Sequence, residues 1–180
     1  MHSPTETIAD GNCADGIDND FDGYTDEDDA GCNDCTCASD YEIKIIQGEK
    51  VYVDCSTSRC WAPTASDTKT WGPDDVNKTS CIDAGSSYPA CNYCDTLAYA
   101  GFTDWVLPTS SSLFSLCISG HCPAPSRVCF GEDGGIVVYW GSNQYEDLVT
   151  TGYSAAFATS NCVMGGNPKT FSLKVRCTRV

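Results

Sequence analysis

Apolar and polar positions change their rhythm several times along the chain. Residues 1–12 are polar and aperiodic. From Tyr41 a period of two sets in, with Tyr41, Ile43 and Ile45 sharing one face. Gln47-Gly48-Glu49-Lys50 then reads as a turn, and Val51-Tyr52-Val53 returns the chain, so the pattern predicts a β-hairpin. Residues 54–90 are rich in Ser, Thr, Asp and Pro and read as loops around a buried Trp61 or Trp71. Residues 90–100 carry Cys94, Leu97 and Ala98 at helical spacing, with Gly101 as the stop. A second helix is predicted to start after Pro108, with Thr109 as N-cap and Leu113, Leu116 and Cys117 on one face. Ile136-Val137-Val138-Tyr139-Trp140 reads as a buried strand and Ala155–Thr159 as a weaker one. The tail alternates Phe171, Leu173, Val175 and Cys177 with Ser172, Lys174, Arg176 and Thr178, the pattern of a half-buried strand. Short strands, two helices and much loop imply an α+β domain over residues 41–180, behind a polar arm (1–12) and an acidic segment (13–40).

Charge sharpens this division. The chain of 180 residues has a formal charge of −15, yet residues 1–40 hold 12 acidic side chains and no Lys or Arg. A chain so acidic, with no basic stripe, repels phosphate backbones, which argues against nucleic acid as a partner. No apolar run approaches the roughly 20 residues that cross a bilayer, which excludes insertion by a helix.

Cysteine usage points to an oxidising compartment. The 14 cysteines run from Cys13 through Cys32, Cys35, Cys37, Cys55, Cys60, Cys81, Cys91, Cys94, Cys117, Cys122, Cys129 and Cys162 to Cys177. Cys32, Cys35 and Cys37, or Cys91 and Cys94, have spacings that suit zinc. An even number spread over the whole chain favours a disulfide framework, whose connectivity spacing alone leaves open. No charged-then-apolar leader follows Met1, yet the cysteines demand secretion, so the expectation is an extracellular protein whose signal peptide has been removed.

The acidic segment carries specific chemistry. Residues 18–29 fit D-x-D-x-D-G-x-x-D-x-x-D at every specified position. A hard cation such as calcium takes six to eight oxygens at about 2.3–2.6 Å. Asp18, Asp20 and Asp22 supply carboxylates, Gly23 permits the sharp turn, the Tyr24 carbonyl reaches inward, and Asp26 and Asp29 complete the shell. The segment resembles the calcium repeats of thrombospondin type 3 and dockerin modules. Calcium is the expected cofactor, in a structural role.

A second resemblance covers residues 51–180. The string Tyr93-Cys94-Asp95-Thr96-Leu97-Ala98-Tyr99-Ala100-Gly101-Phe102-Thr103-Asp104-Trp105-Val106-Leu107-Pro108-Thr109 is similar to the central signature of the Lcl C-terminal domain family, found in bacterial secreted and adhesin proteins. Tyr139-Trp140-Gly141-Ser142 and Val175-Arg176-Cys177-Thr178-Arg179 continue it in order. Val106 stands where that family usually has Arg, and Gly141 where it usually has Ser. The resemblance implies a C-type-lectin-like fold, with two helices, a twisted antiparallel sheet and long loops. It also implies cell-surface attachment or glycan binding, with Trp105, Leu107, Tyr139 and Trp140 in the core.

Catalysis is not expected. His121 sits between Cys117 and Cys122, and bridged cysteines are not nucleophiles. The paired acids Asp74-Asp75, Glu132-Asp133 and Glu146-Asp147 lie in polar loops, where adjacent carboxylates are solvated. Lys169, Lys174, Arg176 and Arg179 gather near the C-terminus as candidate contacts for acidic glycans, Lys174 and Arg176 on one strand face. Partners are then a glycan or a neighbouring cell surface. The alternative is a structural subunit of an extracellular filament or surface layer, in which arm 1–12 adds as a strand to a neighbour's sheet edge.

Overall fold

A computed structural model describes residues 17, 18, 23–25, 32, 35, 41–72, 81, 88–118, 137–144, 153–158 and 163–180. Arm 1–12, most of the acidic segment and His121 lie outside the described residues. The rest is an α+β arrangement of two helices and antiparallel sheets, tied by disulfides. It forms two compact units. One takes the described residues up to Ala62 together with Ala98–Thr103 and Arg179–Val180; the other takes those from Pro63 to Leu97 and from Asp104 to Thr178.

The first unit is built on a hairpin of β1 (Tyr41–Ile46) and β2 (Glu49–Asp54). Gln47 and Gly48 form the turn with φ of 48° and 75°. Positive φ at both central residues gives the twist that two-residue hairpins require. The register runs from Ile46 opposite Glu49 to Tyr41 opposite Asp54. Tyr41, Ile43 and Ile45 share a face, as expected, but it is the outer one: Ile43 and Ile45 are each 52% exposed, while Ile46, Val51 and Val53 are fully buried.

β2 continues into β3 (Arg59–Trp61), with Tyr52 opposite Trp61. Buried Asp54 organises this connection. Its carboxylate accepts the Ser56 amide at 3.1 Å and the hydroxyls of Ser56 and Thr57 at 2.6 and 2.8 Å. Such local bonds let Asp and Ser hold a turn. Thus part of the expected loop over 54–90 is strand. Arg179, in β9 (Thr178–Arg179), extends this sheet beyond β3 in the order β1-β2-β3-β9. Cys35–Cys60 ties the acidic segment to β3.

In the second unit, β4 (Lys69–Thr70) pairs with β8 (Ser172–Leu173). β5 (Val138–Gln144), β6 (Tyr153–Ala158) and β7 (Val163–Pro168) form an antiparallel meander. Two indoles lock β4 to β5. Trp71 Nε1 donates to the Gly141 carbonyl at 2.9 Å, and Trp140 Nε1 donates to the Lys69 carbonyl at 2.8 Å. Both indoles are fully buried, as is Trp61, and Tyr88 packs edge-on against Trp71 at 5.3 Å. These bonds matter because an unpaired N–H in the core costs about 1–3 kcal/mol, and Trp61 Nε1 has no such partner among the described residues.

Helix α1 (Pro89–Asp95) is shorter than expected. Pro89 suits its first turn, and Cys91 and Cys94 turn inward. The Thr96 hydroxyl bonds back to the Asn92 carbonyl at 2.7 Å. The Leu97 amide closes on Cys94, so the last turn tightens and the helix ends. Ala98 is exposed rather than inward. Helix α2 (Ser110–Ile118) starts where the sequence places it. The Thr109 hydroxyl accepts the Ser112 amide at 3.1 Å, and Asn143 Oδ1 on β5 accepts the Ser110 amide at 2.9 Å. Leu113 and Leu116 are buried. Each is worth about 1.5–3 kcal/mol removed from water.

The tail corrects the expected continuous strand. β8 ends at Leu173, Lys174 makes an isolated bridge to Tyr139, and residues 175–177 are not strand. Phe171 is 52% exposed, whereas Val175, Arg176 and Cys177 are all buried.

Candidate metal centre

The acidic loop begins with Asp18, held by the turn it helps to form. Gly23 donates its amide to Asp18 Oδ2 at 3.0 Å, five residues on. Its φ of +99° lies in the region that L side chains avoid, while a Cβ would meet nothing within 4 Å. The backbone angle, not crowding, therefore requires glycine here. This bond fixes the carboxylate and leaves its second oxygen, Oδ1, buried with no hydrogen-bond partner among the described residues. A buried carboxylate oxygen without a donor is costly, and a bound cation removes the cost. The Asp18 carboxylate and the turn at Gly23 therefore fit a bound cation. Tyr24 follows Gly23 and is half-buried. Asp20, Asp22, Asp26 and Asp29 lie outside the described residues. Among those described, no group of three or more His, Cys, Asp or Glu side chains gathers to hold a metal ion.

The four C-terminal cations do not make the exposed basic face expected of them. Lys169 is fully buried, with Nζ 4.8 Å from the Trp71 ring centroid. Its backbone carbonyl accepts the amides of Trp71 and Gly72 at 3.0 and 3.2 Å. Arg176 is 1% exposed. Lys174 directs Nζ to the Ala65 and Ser66 carbonyls at 3.2 and 3.1 Å. In the first unit, Arg179 stacks on Phe102 at 3.9 Å and donates to Cys35 Sγ at 3.4 Å. Alternation along 171–178 misplaces Arg176 because no regular strand runs through 175–177. Lys169 and Arg176, being buried, are withdrawn as surface contacts.

Both departures from the resembled signature have a local setting. Val106 is 48% exposed, while its backbone exchanges two hydrogen bonds with Thr178 at 2.8 and 2.9 Å. Its side chain adds an apolar group to the surface where the resemblance puts a cation. A Cβ on Gly141 would stand 3.0 Å from the Ser110 amide nitrogen and 3.2 Å from the Ser110 Cβ. Strand β5 therefore approaches the start of α2 so closely that a serine here requires Ser110 to give by a few tenths of an ångström. Tyr139 and Trp140 are fully buried, Trp105 and Leu107 nearly so. They are core residues.

Three bridges are complete among the described residues: Cys35–Cys60, Cys81–Cys91 and Cys94–Cys177. Cys32 and Cys55 are also disulfide-bonded, and none of the described cysteines is free. A disulfide framework, rather than zinc, thus accounts for the Cys91/Cys94 pair: each cysteine bonds a different distant partner. Cys13, Cys37, Cys122, Cys129 and Cys162 lie outside the described residues, as does the side chain of Cys117.

No described helix is long and apolar enough to cross a membrane. A scan of the sequence against models of known protein families finds no match, and a search of curated proteins finds none similar.

Proposed function

We propose that this chain is a secreted, calcium-stabilised, non-catalytic module of C-type-lectin-like fold that attaches a cell surface to glycans. The observation that supports it best is the Asp18 carboxylate, oriented by the Gly23 amide with Oδ1 buried and unpartnered at the head of a five-aspartate loop. Calcium at that loop, held by Asp18, Asp20, Asp22, Asp26, Asp29 and the Tyr24 carbonyl, neutralises the most acidic part of the chain. The bonded cysteines Cys32 and Cys35, just after the loop, suit the extracellular setting. The attachment role rests on the signature at residues 93–109, whose Trp105 and Leu107 serve the core. Glycan contacts then belong to exposed loops rather than to Lys169 or Arg176.

Thermal unfolding and limited proteolysis, in calcium and in EDTA, test the metal site. At a hundredfold excess over its dissociation constant, calcium adds about 2.7 kcal/mol. That raises the melting temperature of a chain this size by about 5–10 °C. Asp18→Asn should lose most of this gain. Equal stability and equal protease sensitivity with and without calcium would remove the site. A glycan array probed with the calcium-loaded protein tests attachment. Uniform silence there, together with filaments in negative-stain micrographs, would favour a structural subunit instead.

A further inference from the structure

Six of the described cysteines pair with one another, whereas Cys32 and Cys55 are bonded to cysteines outside the described residues. The sequence leaves six candidates for those two places: Cys13, Cys37, Cys117, Cys122, Cys129 and Cys162. Each complete bridge stays inside one unit, Cys35–Cys60 in the first, Cys81–Cys91 and Cys94–Cys177 in the second. Cys117, Cys122, Cys129 and Cys162 stand in the stretch from Asp104 to Thr178, which belongs to the second unit. By that pattern Cys13 and Cys37 serve the first unit, where Cys32 and Cys55 also lie.

Chain reach selects the partners. Cys37 lies outside the described residues, but the chain is anchored on both sides of it. Two residues before it, Cys35 is bridged to Cys60 on β3, with 5.2 Å between their Cα atoms. Four residues after it, Tyr41 opens β1. A chain spans at most about 3.3–3.6 Å per residue, which tethers Cys37 within about 7 Å of Cys35 and about 14 Å of Tyr41. Strand β2 runs between β3 and β1. Its Val53 stands opposite Cys60 and its Asp54 opposite Tyr41, and Cys55 is the next residue. The chain from Cys35 to Tyr41 therefore passes from β3 to β1 at the end of β2 where Cys55 stands. A disulfide needs Cα atoms about 4.4–6.8 Å apart, which is within the reach of Cys37 on that path. Cys32 is then left with Cys13.

We propose that Cys37 bonds Cys55 and that Cys13 bonds Cys32. The first bridge joins Cys35–Cys60 in tying the acidic segment to one end of the same sheet. The second closes a ring around residues 18–29, the whole aspartate loop. Such a ring keeps the ends of the loop together, so less chain entropy is lost when its carboxylates converge on a cation. That consequence rests on the calcium reading; the pairing itself does not.

Peptide mapping of the full, oxidised chain tests the pairing. The chain is cut before aspartate and after lysine and arginine, with N-ethylmaleimide present to block exchange. Cys13 then falls on peptide 10–14, Cys32 on 29–33, Cys35 and Cys37 on 34–39, Cys55 on 54–59 and Cys60 on 60–66. Mass spectrometry should find 10–14 joined to 29–33 alone, and 34–39 joined to both 54–59 and 60–66. Reduction should release all five. Peptide 10–14 joined to 54–59, with 29–33 joined to 34–39, would overturn the proposal. So would any of the five joined to a peptide carrying Cys117, Cys122, Cys129 or Cys162, or a maleimide label on Cys13 or Cys37. The map is read without calcium, so it can fail while the metal site stands, and the calcium melts can fail while the map stands.

Discussion

The Tyr99 hydroxyl donates to the Lys50 carbonyl at 2.9 Å, fastening the turn at residues 99–102 to β2. That turn is itself tight: the amides and carbonyls of Tyr99 and Phe102 bond each other around Ala100 and Gly101, both at positive φ. Burial, and then the negative charge of Glu49, hold the Tyr99 phenol neutral, and its pKa is pushed up to about 12. The folded state thus keeps this proton longer than the unfolded chain, where tyrosine titrates near 10. The stability gained is complete below about pH 10 and is lost as the pH climbs through about 12. Rapid pH-jump measurements of phenolate absorbance on the wild type and Tyr99→Phe should differ by one tyrosine titrating near 12. A missing signal centred near the ordinary value of about 10 would mean that Tyr99 is not held against the hairpin.

At the scale of elements, helix α2 shows how a local signal becomes a tertiary joint. Thr109 caps the Ser112 amide from within the chain, and Asn143 on β5 caps the Ser110 amide from across the unit. Thr109→Ala removes the first bond and leaves the second. It should cost about 1 kcal/mol, a drop of about 2–4 °C in melting temperature, with the helix retained. No change in a thermal melt would assign the start of the helix to Asn143 alone. Thr109, Leu113 and Leu116 were legible in the sequence because capping and helical spacing act within a few residues. The end of α1 was not, because apolar spacing continued through Leu97 and Ala98 while the Thr96 hydroxyl was turning the chain back on Asn92. Strand β7 carries Gly165, Gly166 and Pro168 and shows no alternation, so its pairing with β6 determines it. The hairpin was legible but its inner face was not, since Tyr41, Ile43 and Ile45 compete with Ile46, Val51 and Val53 and a period of two cannot choose between them. The tail failed similarly: Arg176, between buried Val175 and Cys177, is itself buried, and polarity says outward where packing says inward. For the acidic loop, spacing named the residues, and the structure adds how Gly23 orients Asp18.

For the molecule as a whole, bridges differ in how much chain they close. Cys94–Cys177 joins the end of α1 to the residue before β9, across 83 positions, and both cysteines are buried within the second unit. Cys81–Cys91 spans 10 positions in the same unit. If a bridge acts mainly by restricting the unfolded chain, the long closure is worth about 4–5 kcal/mol and the short one about 2–3 kcal/mol. Against a total stability of about 5–15 kcal/mol, losing the first removes about a quarter or more of what holds the fold. Replacing each pair by alanines and following urea unfolding should reproduce that order, with the midpoint falling further for the Cys94→Ala, Cys177→Ala variant. Equal losses, or a greater loss for the short bridge, would place the benefit in native packing around the sulfurs rather than in the closed loop. The same comparison in calcium and in EDTA separates the two kinds of staple. Both of these bridges lie in the second unit, whereas Asp18 lies in the first. The calcium increment should therefore survive the loss of either bridge and add to it. Non-additive losses would instead show that the metal site and the bridges are energetically coupled.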